Sequence, residues 1–328
     1  MALIGATFAE GRERNRALGI WGAAGSSGMV LGSILGGVLA DVWGWRAVFL
    51  VNLPLAAVVI ALAVASIPRD PRPAPQRLDL PGAVLTTASA VLAVLGLTLA
   101  AQDGWASAAT IGTLAAFVVA VVVLLAVERR TAHPIFDLRR FTNRYLATGT
   151  ASTFLFMAGF GASAYFLTLY LQNVRGLSAM QTGLAFVVPC VAVLIGTQVG
   201  GRLATSSLRR AMLVGQGIGL VGTLVLALTL TDSIGWIALL ALAFVFSVGQ
   251  GITFTAMFAT ASTGAADDEQ GTVGGIATTG QQLGGAIGLA VLVSLTASTQ
   301  SPAAVGFAGI SAIIAIGIIV ATRIPTQR

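Results

Sequence analysis

Lysine is missing from this 328-residue chain, and charge of either sign is scarce. All 18 basic residues are arginine, only 12 residues are acidic, and charged residues make up 9% of the sequence, against about a quarter in an ordinary soluble domain. A water-soluble fold of this length must clothe its surface in charge, and this one lacks the means. A single cysteine, Cys190, excludes a disulfide framework and a cysteine metal site within one chain. A single histidine, His133, excludes a Ser/His/Asp set inside the apolar segments. The 40 glycines follow no Gly-X-Y period, which excludes collagen. What is present instead is 56% hydrophobic residues and a mean hydropathy of +0.91, too apolar for a disordered tail. The class that remains is an integral membrane protein. The pI near 10.9 reflects a net charge of +6 on few charges, so no nucleic-acid partner is expected. The lack of lysine beside abundant Ala, Gly and Val reads as a coding bias toward G and C.

A bilayer core about 30 Å thick needs roughly 20 apolar residues in a helix. Ten such runs are expected, at about 17–40, 47–67, 80–101, 107–127, 145–171, 179–200, 211–231, 235–258, 272–297 and 303–322. None alternates with the two-residue period of a membrane β-strand, so the expected fold is an all-α polytopic bundle. With ten crossings, 16 of the 18 arginines fall on one side, and only Arg46 and Arg175 fall on the other. That asymmetry predicts cytoplasmic termini and a multi-pass protein of the cell (inner) membrane. The inner loop 259–271, with Asp267, Asp268 and Glu269 and no arginine, departs from the pattern; acidic residues weigh little in this rule. No secretory signal peptide is expected at the start of the chain.

The runs group as two, two and six. Residues 1–67 hold two helices, 68–79 form a Pro- and Arg-rich cytoplasmic linker, and 80–127 hold two more. Residues 128–144 form a cytoplasmic loop read as an amphipathic surface stretch, and 145–328 form a six-helix block. Transporter folds repeat units of six helices.

Two glycine ladders stand out. In the first run Gly25, Gly28, Gly32 and Gly36, with Gly37 adjacent, recur at three or four residues. In the ninth, Gly280, Gly284 and Gly288 do the same. Bare stripes of this kind let two backbones approach closely, which is how helices associate in lipid. Both ladders are expected to pack helices, at related positions of a repeated fold.

These residues carry a resemblance. Residues 12–54, RERNRALGIWGAAGSSGMVLGSILGGVLADVWGWRAVFLVNLP, resemble the fifth and sixth helices of fourteen-helix drug:proton antiporters of the major facilitator superfamily, the EmrB/QacA-like group. The stripe Gly28, Gly32, Gly36 and Gly37 is similar to that superfamily's antiporter motif. Trp45-Arg46-Ala47-Val48-Phe49 and Asn52-Leu53-Pro54 are similar to the turn into its sixth helix. ERRTAHPIFDLRRFTNR (128–144) and EQGTVGGIATTGQQLGGAIGL (269–289) resemble later segments in the same order. The resemblance implies a secondary transporter that exports drugs or other small molecules, antibiotics included, by proton antiport with alternating access. Its partners would be the lipid bilayer, a small-molecule substrate and protons. Ser33 stands where the motif carries proline, which implies a smaller bend. Ten helices against fourteen implies that the first four are absent: a partial N-terminal half joined to a complete six-helix C-terminal half. A truncated, non-transporting fragment or subunit that needs another chain is the alternative reading.

Inside the runs there is no Asp, Glu, His or Arg, although membrane proton relays use such groups. Asp41 and Arg46 flank the first outer turn, where a solvated pair contributes little. Gln198, Gln216, Gln250, Gln281 and Gln282 enter the spans and need partners there. The fifth run is rich in aromatics. Phe156, Phe160, Tyr165, Gln250 and Gln281 are candidates for binding a large apolar cation or neutral drug. The competing reading has the phenylalanines facing lipid and the glutamines joining helices. Pro189 predicts a bend in the sixth run. Gly215-Gln216-Gly217-Ile218-Gly219 hints at a dinucleotide loop but lies inside an apolar run with no strand before it. No catalytic residue, cofactor or metal is expected; an intramembrane enzyme would need embedded charge, and a channel a ring of carboxylates.

Overall fold

A computed structural model of the chain describes residues 28, 31–66, 79–131, 142–230, 234–264, 270–297 and 299–325. All regular secondary structure among them is helical. α1 covers Leu31–Trp43 and α2 covers Trp45–Ser66, separated by Gly44 at φ 80° and with a one-residue break at Val51. α3 (Leu80–Asp103) and α4 (Ala108–Glu128) form a hairpin. The remainder is α5 (Arg144–Leu169, continued by a π-helical turn Tyr170–Val174), α6 (Ala179–Ala185), α7 (Val187–Ser206), α8 (Leu208–Thr229), α9 (Trp236–Ser262), α10 (Gln270–Thr296) and α11 (Pro302–Ala321). Nine helices among the described residues are long and apolar enough to cross a membrane, α6 and α7 counting as one span. The tenth run expected from the sequence, 17–40, lies mostly outside the described residues, as do Gly25, most of the linker and residues 132–141.

Local chemistry sets the ends. Asp79, Ser107, Asn143, Ser178 and Ser207 each accept a bond from a backbone N–H of the following first turn, filling donors that a helix cannot satisfy itself. Ser178 and Gln181 complete a reciprocal capping box. Pro189 has no N–H for the carbonyl four residues back and crowds it; the helix accordingly resets at Phe186, separating α6 from α7. α7 runs six residues past the expected end at 200. Gly200, Gly201 and Arg202 look like a stop, but Gly200 rests on the backbone of Ile252 and packing carries the helix on to Ser206.

The six-helix unit is built around α5, which contacts α9, α10 and α11. A Cβ on Gly280 would sit 3.0 Å from Thr150 Cγ2, while Gly284 and Gly288 meet the backbones of Phe154 and Ala158. The pairing 280 with 150, 284 with 154 and 288 with 158 runs parallel, so the second ladder is where α10 docks on α5. Thr153 Oγ1 donates across the same seam to Ala277 O at 2.9 Å. α7 and α9 interlock likewise, through Gly196 and Gly251. Phe160, Phe166 and Phe307 fill the space between, with Phe160 over Gly219 and Phe166 over Gly306. The α3–α4 hairpin leans on α10 through α3, and α2 buries no residue in this chain.

A Gly284→Ala variant should therefore lose about 1–3 kcal/mol, the usual effect of overpacking a closed contact. Gly217→Ala on α8, where a Cβ meets nothing within 4 Å, should stay within about 0.5 kcal/mol of the parent. Reversible unfolding of both variants in mixed micelles checks the difference; equal loss by both would show that the ladder does not hold α10 in place.

Candidate functional site

The six-helix unit presents partly exposed aromatic and amide side chains on α5, α9 and α10. On α5, Met157, Gly161 and Tyr165 recur at four-residue spacing and are not fully covered. Tyr165 is 42% exposed and sits edge-on to Phe166 with centroids 5.2 Å apart. On α9, Gln250, Phe254 and Phe258 recur at four-residue spacing, which places them on one helix face. Phe254 is 39% exposed, tilts against Phe156 at 5.8 Å and meets Phe258 edge-on at 5.4 Å. On the other side, Gln281 of α10 stands one turn before Gly285, which lies against Met157. The surface is apolar and aromatic with two partly exposed amides, a chemistry that holds flat or cationic apolar molecules by stacking and cation–π attraction.

The sequence candidates divide on this geometry. Tyr165, Gln250 and Gln281 lie at or near the open surface. Phe156 is buried and backs Phe254, while Phe160 is 1% exposed, its ring closed under α8 at Gly219. Phe160 thus packs the core rather than presenting a face to solvent or ligand. Phe254 and Phe258 are absent from the sequence candidates, although their four-residue spacing from Gln250 was available as a signal. Among the other glutamines, Gln198 and Gln282 are exposed; Gln216 is buried between α8 and α11, its amide against Gly317, and its Oε1 has no hydrogen-bond partner among the described residues.

Of the first ladder and the adjacent Gly37, only Gly37 meets another helix among the described residues. Gly28, Gly32 and Gly36 meet nothing within 4 Å among the described residues. The contact to α6 is made by the adjacent stripe: Gly37 faces the Ala179 carbonyl, and Ser33 Oγ donates to Gly183 O at 2.9 Å. Proline at 33 would remove that bond. Asp41 and Arg46 are both exposed, and Arg46 lies over the Trp45 ring at 4.6 Å instead of pairing with Asp41.

Two further polar groupings went unread in the sequence. Asp79 and Glu128, assigned to polar connections, are both buried and converge over Gly82 at one end of the α3–α4 hairpin. At the far end of α5, Arg175 follows the π-helical turn; it donates to Ile234 O at 2.7 Å, reaches Tyr170 Oη at 3.4 Å and lies over the Trp236 ring at 4.5 Å. π-Turns of this kind are often found at functional positions, and this one delivers Arg175 to the approach between α8 and α9. A double-mutant cycle of Arg175→Ala and Trp236→Ala should show a coupling of about 0.5–1 kcal/mol; additivity of the two losses would mean that the stacked geometry contributes nothing.

A family model described as Major Facilitator Superfamily matches residues 1–289. The chain is 36% identical over 307 residues to the cephamycin export protein CmcT of Amycolatopsis lactamdurans, covering 92% of this chain and 63% of that one. It is 33% identical to the multidrug resistance protein Stp of Mycobacterium tuberculosis, covering 92% and 56%. Against the tetracenomycin C resistance and export protein of Streptomyces glaucescens it is 32% identical, covering 91% and 55%. The chain thus spans between about half and two thirds of the length of the curated relatives it matches.

Proposed function

The chain belongs to the Major Facilitator Superfamily, and from that premise we propose that it serves in the export of an apolar or cationic drug-like compound across the cell membrane, by alternating access in exchange for protons. The observation that carries the substrate class is the set of partly exposed aromatic and amide side chains on α5, α9 and α10. Tyr165 and Phe254 would stack on the compound, Phe156 would support Phe254, and Gln250 and Gln281 would orient its polar atoms. The relatives' names, which speak of cephamycin, tetracenomycin C and multidrug resistance, support the same class. Both termini would lie in the cytoplasm, because that orientation puts 16 of 18 arginines inside.

These helices are assigned binding and movement, not proton carriage. The described spans have no acidic side chain in their interiors; Asp79 and Glu128 stand at helix ends. The small contact of α1 with α6, a single hydroxyl bond and close backbone approach at Gly37 and Gly183, is a surface that can slide with little loss.

The test is accumulation of a fluorescent lipophilic cation in cells expressing the chain. Lower accumulation than in control cells is expected. Phe254→Ala should weaken binding by about two- to tenfold, the effect of one stacking or cation–π contact, with the protein still in the membrane. Accumulation equal to control cells, with the chain present in the membrane, would overturn transport by this chain; unchanged affinity in Phe254→Ala would overturn the binding face.

A further inference from the structure

Away from the aromatic face, the first turn of α5 and the end of α11 form an open recess of about 290 Å³ lined by Arg144, Ala147, Thr148 and Arg323. The two arginines come from helix ends 179 residues apart in sequence, yet line one recess. Neither has a carboxylate partner among the described residues. Arg144 is the first residue of α5, and no acidic residue occupies that turn. A cation there stands at the positive end of the helix dipole, an unfavourable place unless an anion is close by. Thr148 turns its hydroxyl back to Arg144 O at 2.6 Å, and Asn143 is used in capping Tyr145. The guanidinium groups are thus the charged donors that the recess offers. Seven and four residues before Arg323, on its own side of α11, Ile316 and Ile319 are exposed, an apolar strip running from the recess along the helix.

Two guanidinium forks suit a phosphate group, which they can grip through paired charge-assisted bonds. An apolar strip leading away from a phosphate site suits acyl chains. In the orientation proposed above, which this inference adopts, the recess opens at the cytoplasmic leaflet, where anionic lipids and basic pockets between helices meet. We propose that this recess binds the phosphodiester headgroup of an anionic phospholipid, with its chains along Ile316 and Ile319.

The test is native mass spectrometry of the full chain in detergent, titrated with phosphatidylglycerol, phosphatidylcholine or inorganic phosphate. Phosphatidylglycerol should be retained over phosphatidylcholine on the unaltered chain, and Arg144→Gln with Arg323→Gln should reduce that retention by about fivefold per arginine. Arg202→Gln with Arg209→Gln, two arginines outside the recess, should leave it unchanged. Size-exclusion elution matching the parent shows that the variants are folded, and the preference of the unaltered chain decides by itself if they are not. Equal retention of the two lipids, an equal loss in the Arg202/Arg209 pair, or displacement of lipid by phosphate at equal concentration would each overturn the proposal. Drug accumulation plays no part in this readout, so failure of the export reading and failure of the lipid site are told apart.

Discussion

Apolar helices in a bilayer gain nothing by exchanging lipid for each other, because the tails are as apolar as leucine; association rests on close van der Waals packing of backbones. Everything else in this molecule depends on where that approach is possible. Gly280, Gly284 and Gly288 let α10 lie on the backbone of α5, and Gly196, Gly200 and Gly251 do the same for α7 and α9. Once those two parallel pairs are closed, α8 and α11 fit antiparallel between them, and the aromatic core is filled by Phe160 under Gly219 and Phe166 under Gly306. A single Cβ in the wrong place would move a whole helix. The open face exists because α5, α9 and α10 are held in one arrangement by contacts on their opposite sides.

Hydropathy and spacing made most of the helices legible in the sequence. Apolar runs of twenty or more residues declare themselves, and the nine described spans begin and end within a few residues of expectation except at α7. What remained hidden is partner choice. A ladder states that a backbone will come close, not which one. In the first run, small residues lie on two neighbouring stripes, and among the described residues the contact to α6 is made by Ser33 and Gly37 and not by Gly28, Gly32 and Gly36. For aromatic residues the ambiguity is greater. Phe156 and Phe160 are one helical turn apart and look alike in sequence, yet one backs the open face and the other is closed under α8; the difference is Gly219, 59 residues further along. The convergence of Asp79 with Glu128 was hidden for the same reason, since hairpin geometry and not sequence distance brings them together.

Polar side chains inside the spans show how little hydrogen bonding the bundle needs between helices. Most hydroxyls bond a carbonyl of their own helix three or four residues back, as Thr260 does with Ala256 O at 2.7 Å and Thr296 with Leu292 O at 2.9 Å. A few reach across: Thr153 to Ala277 O, Ser311 to Thr223 Oγ1 and Ser33 to Gly183 O. Measured bonds of this kind contribute on average about 0.6 kcal/mol, so they select register more than they supply stability. Packing alone does not explain Gln216, buried against Gly317 with its carbonyl oxygen unpartnered among the described residues, nor the unpartnered hydroxyls of Ser152 and Ser247.

The distribution of close contacts also bears on movement. α5 and α10 interlock over three turns with backbone against backbone, and a hydroxyl bond crosses their seam. α1 touches α6 over little more than one turn, through Ser33, Gly37 and Gly183. Sliding α10 on α5 would drive backbone into backbone at Phe154 and Ala158, whereas sliding α1 on α6 breaks one hydrogen bond and separates small residues. A bundle that rocks would open along the second seam first and carry α5, α9 and α10 as one body. The aromatic face would then travel intact, its stacking geometry unchanged, and access to it would change through its surroundings. Arg175, stacked on Trp236 and bonded to the segment before α9, ties the end of α5 to that same body. The short and the long contacts are both made of small residues; what separates them is the number of turns over which the backbones meet.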